Sequence, residues 1–93
     1  MKVRFNLLAH GYSRDSDKII DNLGTLVCHS GAGEKLHAGD IVLLIDGKEA
    51  IVTQDGIHTR KMIAGGSHVE KIVKKFNSLE VGDTYLKGLV EVI

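Results

Sequence analysis

The residues best suited to binding chemistry lie in two neighbouring stretches of the sequence. The run His58-Thr59-Arg60-Lys61 carries cationic side chains, and Gly65-Gly66-Ser67-His68 follows after a short apolar stretch. Backbone N–H groups at the start of a helix, together with the helix dipole, favour phosphate or carboxylate. We therefore predict an anion site at a helix start. Its predicted residues are Arg60, Lys61, Gly65, Gly66, Ser67 and His68.

Arg60 and Lys61 are adjacent, so in a strand they point to opposite faces and at most one of them faces a given ligand. A second interpretation remains open, in which Gly65-Gly66 only permits a sharp connection between strand and helix and the basic side chains are solvated. The dinucleotide fingerprint Gly-x-Gly-x-x-Gly and the phosphate-loop ending Gly-Lys-Ser/Thr are both missing from the sequence. The motifs thus favour binding over phosphoryl or hydride transfer.

Two further places carry weaker candidates. Ser30-Gly31-Ala32-Gly33 is a second glycine-rich loop, able either to wrap a ligand with its amides or to act as a plain connector. Tyr12 and Arg14 follow the first apolar stretch and can stack on a base or pair with a phosphate. A tyrosine in a turn can instead pack against the core. Of these two places, Tyr12 and Arg14 are included among the predicted ligand-binding residues, and the loop is not.

The remaining reactive residues give little support to catalysis. Cys28 and His29 are adjacent, so in a strand they face opposite ways and cannot pair, which favours a packed core cysteine. The histidines at positions 10, 29, 37, 58 and 68 show no metal-ligand spacing. Asp40, Asp46, Asp55 and Asp83 stand in or beside turns, where aspartate is expected for backbone reasons. We predict a protein that is not an enzyme and that uses neither a metal nor a cofactor.

The elements that would position these residues follow from the apolar pattern. Residues 2–9 alternate like a half-buried strand, and residues 13–24 predict a short helix with serine or aspartate caps and Gly24 at its end. Residues 25–29 have strand composition, and residues 84–93 predict a last strand.

The middle of the chain predicts a three-stranded antiparallel meander. The apolar runs at 41–45, 49–53 and 57–63 are separated by Asp46-Gly47 and Asp55-Gly56, which are strong hairpin signals. A second helix is predicted from Ser67, because Val69, Ile72, Val73 and Phe76 recur at helical spacing and Ser67 with Glu70 forms a capping box. The predicted fold class is α+β, a small mostly antiparallel sheet with two helices, in a single domain over residues 1–93.

Composition narrows the function classes. The chain has 93 residues, 12 basic and 12 acidic side chains and one cysteine, and it lacks proline. A neutral charge argues against general nucleic-acid binding, and a lone cysteine favours a reducing compartment. We found neither a secretory signal nor an apolar run long enough for a membrane span, so a cytoplasmic protein is expected.

A compact proline-free domain with Gly65-Gly66-Ser67 before a predicted lysine-rich helix resembles the small early proteins of tailed bacteriophages. Some of these proteins sequester cyclic nucleotide signals made by bacterial defence systems. The resemblance implies a homo-oligomer in the host cytoplasm that binds a cyclic dinucleotide without cleaving it.

The leading prediction is thus a non-catalytic protein that binds a phosphate-bearing small molecule. The alternative is a protein-interaction module or inhibitor that docks through a sheet edge or through the Lys71, Lys74 and Lys75 face. A third hypothesis is a small hydrolase that uses Cys28 or a histidine.

Overall fold

The computed structural model describes residues 2–6, 17–58, 63–78 and 88–93. These residues form strands, together with 3₁₀ turns at Gly66–His68 and Phe76–Ser78. The strands are β1 (Val3–Asn6), β2 (Asp17–Ile20), β3 (Leu26–His29), β4 (Lys35–His37), β5 (Ile41–Leu44), β6 (Glu49–Thr53), β7 (Gly56–His58), β8 (Ile63–Ala64), β9 (Val69–Lys74) and β10 (Leu89–Val92).

The strands pair antiparallel in three groups. One sheet has the order β10-β1-β2, a second is the β3-β4 hairpin, and the third has the order β8-β7-β6-β5-β9. Within the described ranges no helical segment exceeds three residues, so the fold is mostly β and the predicted two-helix α+β class is wrong. None of these helical segments has the length and apolar content to cross a bilayer.

The predicted meander is confirmed for β5, β6 and β7. Ile41 pairs with Ile51, and Val52 pairs with Ile57. Gly47 and Gly56 have φ values of 88° and 118°, the left-handed region that the Asp-Gly turns require. The predicted continuous strand over 57–63 is wrong, because Ile57 pairs back with Ala64 and the chain therefore reverses between β7 and β8.

The predicted helix after Ser67 is a strand, β9, paired with β5. Leu44 pairs with Val69 and Val42 with Ile72, so two steps along β5 match three steps along β9. A second irregularity follows between Ile41 and Val42. Each extra residue in a β-bulge shifts the alternation of faces, so apolar residues recur three and four positions apart, as they do in a helix. β-Branched Val69, Ile72 and Val73 suit the pleated pairing.

The predicted helix over 13–24 is contradicted in its described part. Residues 17–20 form β2, in which Ile20 is buried opposite Val3 and Ile19 is exposed opposite Arg4. This alternation is that of a strand. Arg4 forms ion pairs with Asp17 on β2 and Glu91 on β10, so opposite charges on its two neighbouring strands support the register. Residues 13–16 lie outside the described residues.

The two terminal strand predictions are confirmed where they can be checked. β1 lies within the predicted range 2–9, and β10 lies within the predicted range 84–93. Residues 7–9 and 84–87 lie outside the described residues. The predicted strand over 25–29 is confirmed as β3.

The core lies around β5 and β6, which are buried on both faces. All four residues from Ala50 to Thr53 are buried, as are Ile41 and Val42. Phe5 and Ile20 from the first sheet and Leu36 from the hairpin are also fully buried and belong to this core.

The five-stranded sheet is curved. A flat sheet would hold its outer strands, β8 and β9, roughly 19 Å apart, at about 4.8 Å per strand spacing. Residues 65–68 connect these two strands and include a 3₁₀ turn, so the link spans only roughly 13 Å. The sheet is therefore curved rather than flat.

Candidate functional site

Two glycine-rich segments meet in the structure. The Gly31 amide donates a hydrogen bond to the Gly66 carbonyl at 3.2 Å. A Cβ atom on Gly66 would lie 1.8 Å from the His29 carbonyl oxygen, so the two backbones are in direct contact there. We call this contact between Gly31, Gly66 and the His29 carbonyl the glycine junction. Sequence reasoning treated the two segments as separate candidates, because nothing local relates them.

The predicted helix start is absent, and with it the helix-dipole argument for the anion site. Residues 66–68 form a single 3₁₀ turn between extended residues, with φ and ψ of −84° and 169° at Gly65 and of −88° and 125° at Val69. The His68 amide donates to the Gly65 carbonyl at 3.2 Å. An anion held here would not have the aligned amides of a helix N-terminus.

The loop between β3 and β4 uses its own amides internally. The Ser30 amide donates to the Glu34 carbonyl at 2.8 Å, and the Gly33 amide donates to the Ser30 carbonyl at 2.9 Å. The Ser30 hydroxyl accepts the Glu34 amide at 3.1 Å. The Ser30, Gly33 and Glu34 amides are therefore occupied within the loop and are not free to bind a ligand.

The exposed polar residues in or next to the glycine junction come from both segments. His29, Ser67 and His68 are exposed. They carry hydroxyl and imidazole groups, which can donate hydrogen bonds to a phosphate. The structure thus brings predicted residues 65–68 together with His29 and Gly31. The other predicted ligand-binding residues, Tyr12, Arg14, Arg60 and Lys61, lie outside the described residues.

Cys28 lies on β3, half-buried against the core. Burial raises the pKa of its thiol, which lowers the thiolate fraction near neutral pH. In the described part of the chain, no three His, Cys, Asp or Glu side chains are grouped closely enough to hold a metal ion.

Asp40 is a buried polar residue whose hydrogen bonds connect distant parts of the chain, and sequence reasoning missed this role. Its side chain is fully buried. One carboxylate oxygen accepts the His37 amide at 2.9 Å, and the other accepts the Phe76 amide at 2.9 Å. The first bond is the turn chemistry that the sequence indicates. The second joins the start of β5 to the turn after β9, and no sequence signal marks that partner.

Several apolar side chains of the β10-β1-β2 sheet are exposed. Ile19 on β2 and Val90, Val92 and Ile93 on or next to β10 are all more than 40% exposed. On β9 of the five-stranded sheet, Lys71 is exposed and Lys74 is partly buried, and Lys75, which follows β9, is exposed. The predicted lysine face therefore belongs to a strand and its following residue, not to a helix.

The described residues define a small, mostly antiparallel β domain with a glycine junction between a hairpin tip and a 3₁₀ turn. No protein-family model, no curated protein and no solved structure matches this chain.

Proposed function

We propose that this protein is a small non-catalytic binding protein that sequesters a phosphate-bearing small molecule, with a cyclic dinucleotide as the best candidate. The single observation that carries the proposal is the glycine junction, and the exposed residues His29, Ser67 and His68 belong to the two segments that meet there. A sequestering protein needs stoichiometric contacts to phosphate and base but no reacting group. The resemblance to phage proteins further implies that the protein acts in the host cytoplasm and forms a homo-oligomer.

We propose that the positive charge for binding a phosphate is supplied by Arg60 or Lys61. Arg60 and Lys61 belong to this connection, and β8 directly precedes Gly65. An arginine binds phosphate through two parallel hydrogen bonds, which are stronger than those of neutral donors. We therefore assign the electrostatic part of binding to Arg60 or Lys61 and the orientation of the ligand to Ser67 and His68.

A thermal-shift screen against mono-, di- and cyclic nucleotides tests this proposal. At a ligand concentration about 100 times Kd, binding adds about 2.7 kcal/mol to the free energy of unfolding, which is a clear increase in Tm. We expect this increase with a cyclic dinucleotide, and we expect the ligand to be recovered unchanged. Ser67→Ala and Arg60→Ala are each expected to weaken binding while the ligand-free Tm stays the same.

Ser78→Ala is the matched control, because Ser78 is an exposed serine that likewise lies in a three-residue 3₁₀ turn. It should bind like the unmodified protein. If Ser67→Ala and Arg60→Ala both retain full affinity, the site is elsewhere. If no phosphate compound raises Tm, small-molecule sequestration is wrong.

The exposed apolar residues of the β10-β1-β2 sheet favour a second candidate function, a protein-interaction module. Aliphatic side chains on and beside β10 suit pairing with a strand of another chain. Such a module would keep the same Tm with every nucleotide and would be stabilised only by its partner. Mass measurement by size exclusion, made beside the thermal screen, reports whether a second copy of the chain is that partner.

A further inference from the structure

β10 is the outer strand at one end of the β10-β1-β2 sheet. The Ile93 amide donates to the Lys2 carbonyl at 2.8 Å, so the backbone groups of Ile93 face β1. Backbone groups alternate in direction along an antiparallel strand, and those of Val92 therefore point away from β1. Among the described strands, none pairs with this side of β10. Val92 thus offers one donor and one acceptor to a further strand.

The side chain of Val92 ends an apolar row that begins in the core. Val92 lies opposite Val3, and Val3 lies opposite Ile20 on the other side. Residues directly opposite each other share one face of a sheet, so all three side chains are on the core face. Val3 and Ile20 are fully buried, whereas Val92 is 41% exposed. The core face is therefore left uncovered at β10.

The opposite end of the same sheet is covered by another part of the chain. The Gln54 side-chain amide donates to the Ile19 carbonyl of β2 at 3.0 Å. Lys18 of β2 forms an ion pair with Asp55. Gln54 and Asp55 lie in the turn between β6 and β7, so this turn occupies the outer side of β2.

The five-stranded sheet ends in strands that are short or charged. β8 at one end has two residues, and β9 at the other end carries Glu70, Lys71 and Lys74. Short edge strands and charged side chains are common ways to prevent edge pairing. β10 differs, because three of its four residues are apolar and its charged residue, Glu91, pairs with Arg4 of β1.

We propose that β10 pairs antiparallel with β10 of a second copy of this chain, with the twofold axis at Val92. Each Val92 then lies opposite its counterpart on the core face, and the apolar row continues from one copy into the other. The two copies present the same patch to each other, as a twofold dimer requires. The outward donor and acceptor of each Val92 are satisfied by those of its counterpart.

Charge and strand geometry select this axis. An axis at Glu91 would place two carboxylates directly opposite each other, which is unfavourable. An axis at Val90 would fall on a bulge, since two steps along β10 match one step along β1 there. The axis at Val92 instead places Glu91 opposite Ile93 of the second copy. This interface rests on the proposed function in one respect, because it specifies the homo-oligomer included there, but it requires no ligand.

Light scattering after size exclusion tests the dimer. We expect the unmodified protein to have twice the monomer mass and to approach the monomer mass on dilution. Val92→Lys places two positive charges opposite each other at the axis, so this variant should be monomeric. Ile45→Lys is the matched control, because Ile45 is 68% exposed and lies outside β10, and it should remain dimeric. A monomeric unmodified protein at every concentration would overturn the interface, as would a Val92→Lys variant that stays dimeric.

Cross-linking locates the axis without depending on the lysine variant. Hydrogen-bonded residues opposite each other have Cα atoms about 5.5 Å apart, which a disulfide can bridge. Val92→Cys in a Cys28→Ser background should therefore form a covalent dimer on oxidation. Ile45→Cys in the same background is the control and should stay uncross-linked. Equal cross-linking of the two variants contradicts an axis at Val92.

The nucleotide screen separates the interface from the proposed function. A monomer whose Tm rises with a cyclic dinucleotide contradicts the interface and supports sequestration. A cross-linked dimer whose Tm is unchanged by every nucleotide supports the interface and contradicts sequestration.

Discussion

Replacing Asp40 with alanine is expected to lower the free energy of unfolding by about 3–5 kcal/mol. The substitution removes two hydrogen bonds to a buried carboxylate and leaves the His37 and Phe76 amides without their acceptor. A domain of this size has a total stability of about 5–14 kcal/mol, so much of it would be lost. Urea denaturation followed by circular dichroism measures the change.

Asp46→Ala is the matched control for Asp40→Ala. Asp46 also lies in a turn, between β5 and β6, but it is exposed. Its carboxylate accepts only the Lys48 amide, at 3.0 Å. The expected loss is below about 1 kcal/mol. Equal losses for the two variants would show that Asp40 has only a local role in its turn. Asp40→Asn should fall between them, because one of its side-chain positions becomes a donor.

Gly66→Ala is expected to lower the free energy of unfolding by about 3 kcal/mol. The new Cβ would lie 1.8 Å from the His29 carbonyl oxygen. Because this neighbour is backbone, no side-chain rotation relieves the contact, and the hairpin tip has to separate from the turn. We expect a lower urea midpoint together with faster amide exchange in residues 26–37.

The neighbouring Gly65→Ala provides a sharp comparison. A Cβ at this position would meet only the Ser67 hydroxyl oxygen, at 4.0 Å, and its φ of −84° suits any residue. Its effect should stay within about 0.5 kcal/mol. If Gly66→Ala is equally mild, the two glycine-rich segments are not in contact and the glycine junction is wrong.

The candidate site was predictable in part. Glycines before a serine marked residues 65–67 as unusual, and these residues do lie at a close approach of two backbones. The interpretation as a helix start failed because a bulged strand and a helix place apolar residues at the same spacing in this segment. The segment forms a strand because the edge of β5 is available to pair with it.

The sequence by itself determined the features that depend on neighbouring residues. Asp46-Gly47 and Asp55-Gly56 specify their turns within a few residues, and the alternation in β1 specifies a half-buried strand. Only the tertiary structure decided that β9 is a strand, that Gly31 meets Gly66 and that Asp40 reaches Phe76. Each of these contacts joins residues more than 20 positions apart. Their partners are chosen by the packing of the whole core, which leaves no local pattern in the sequence.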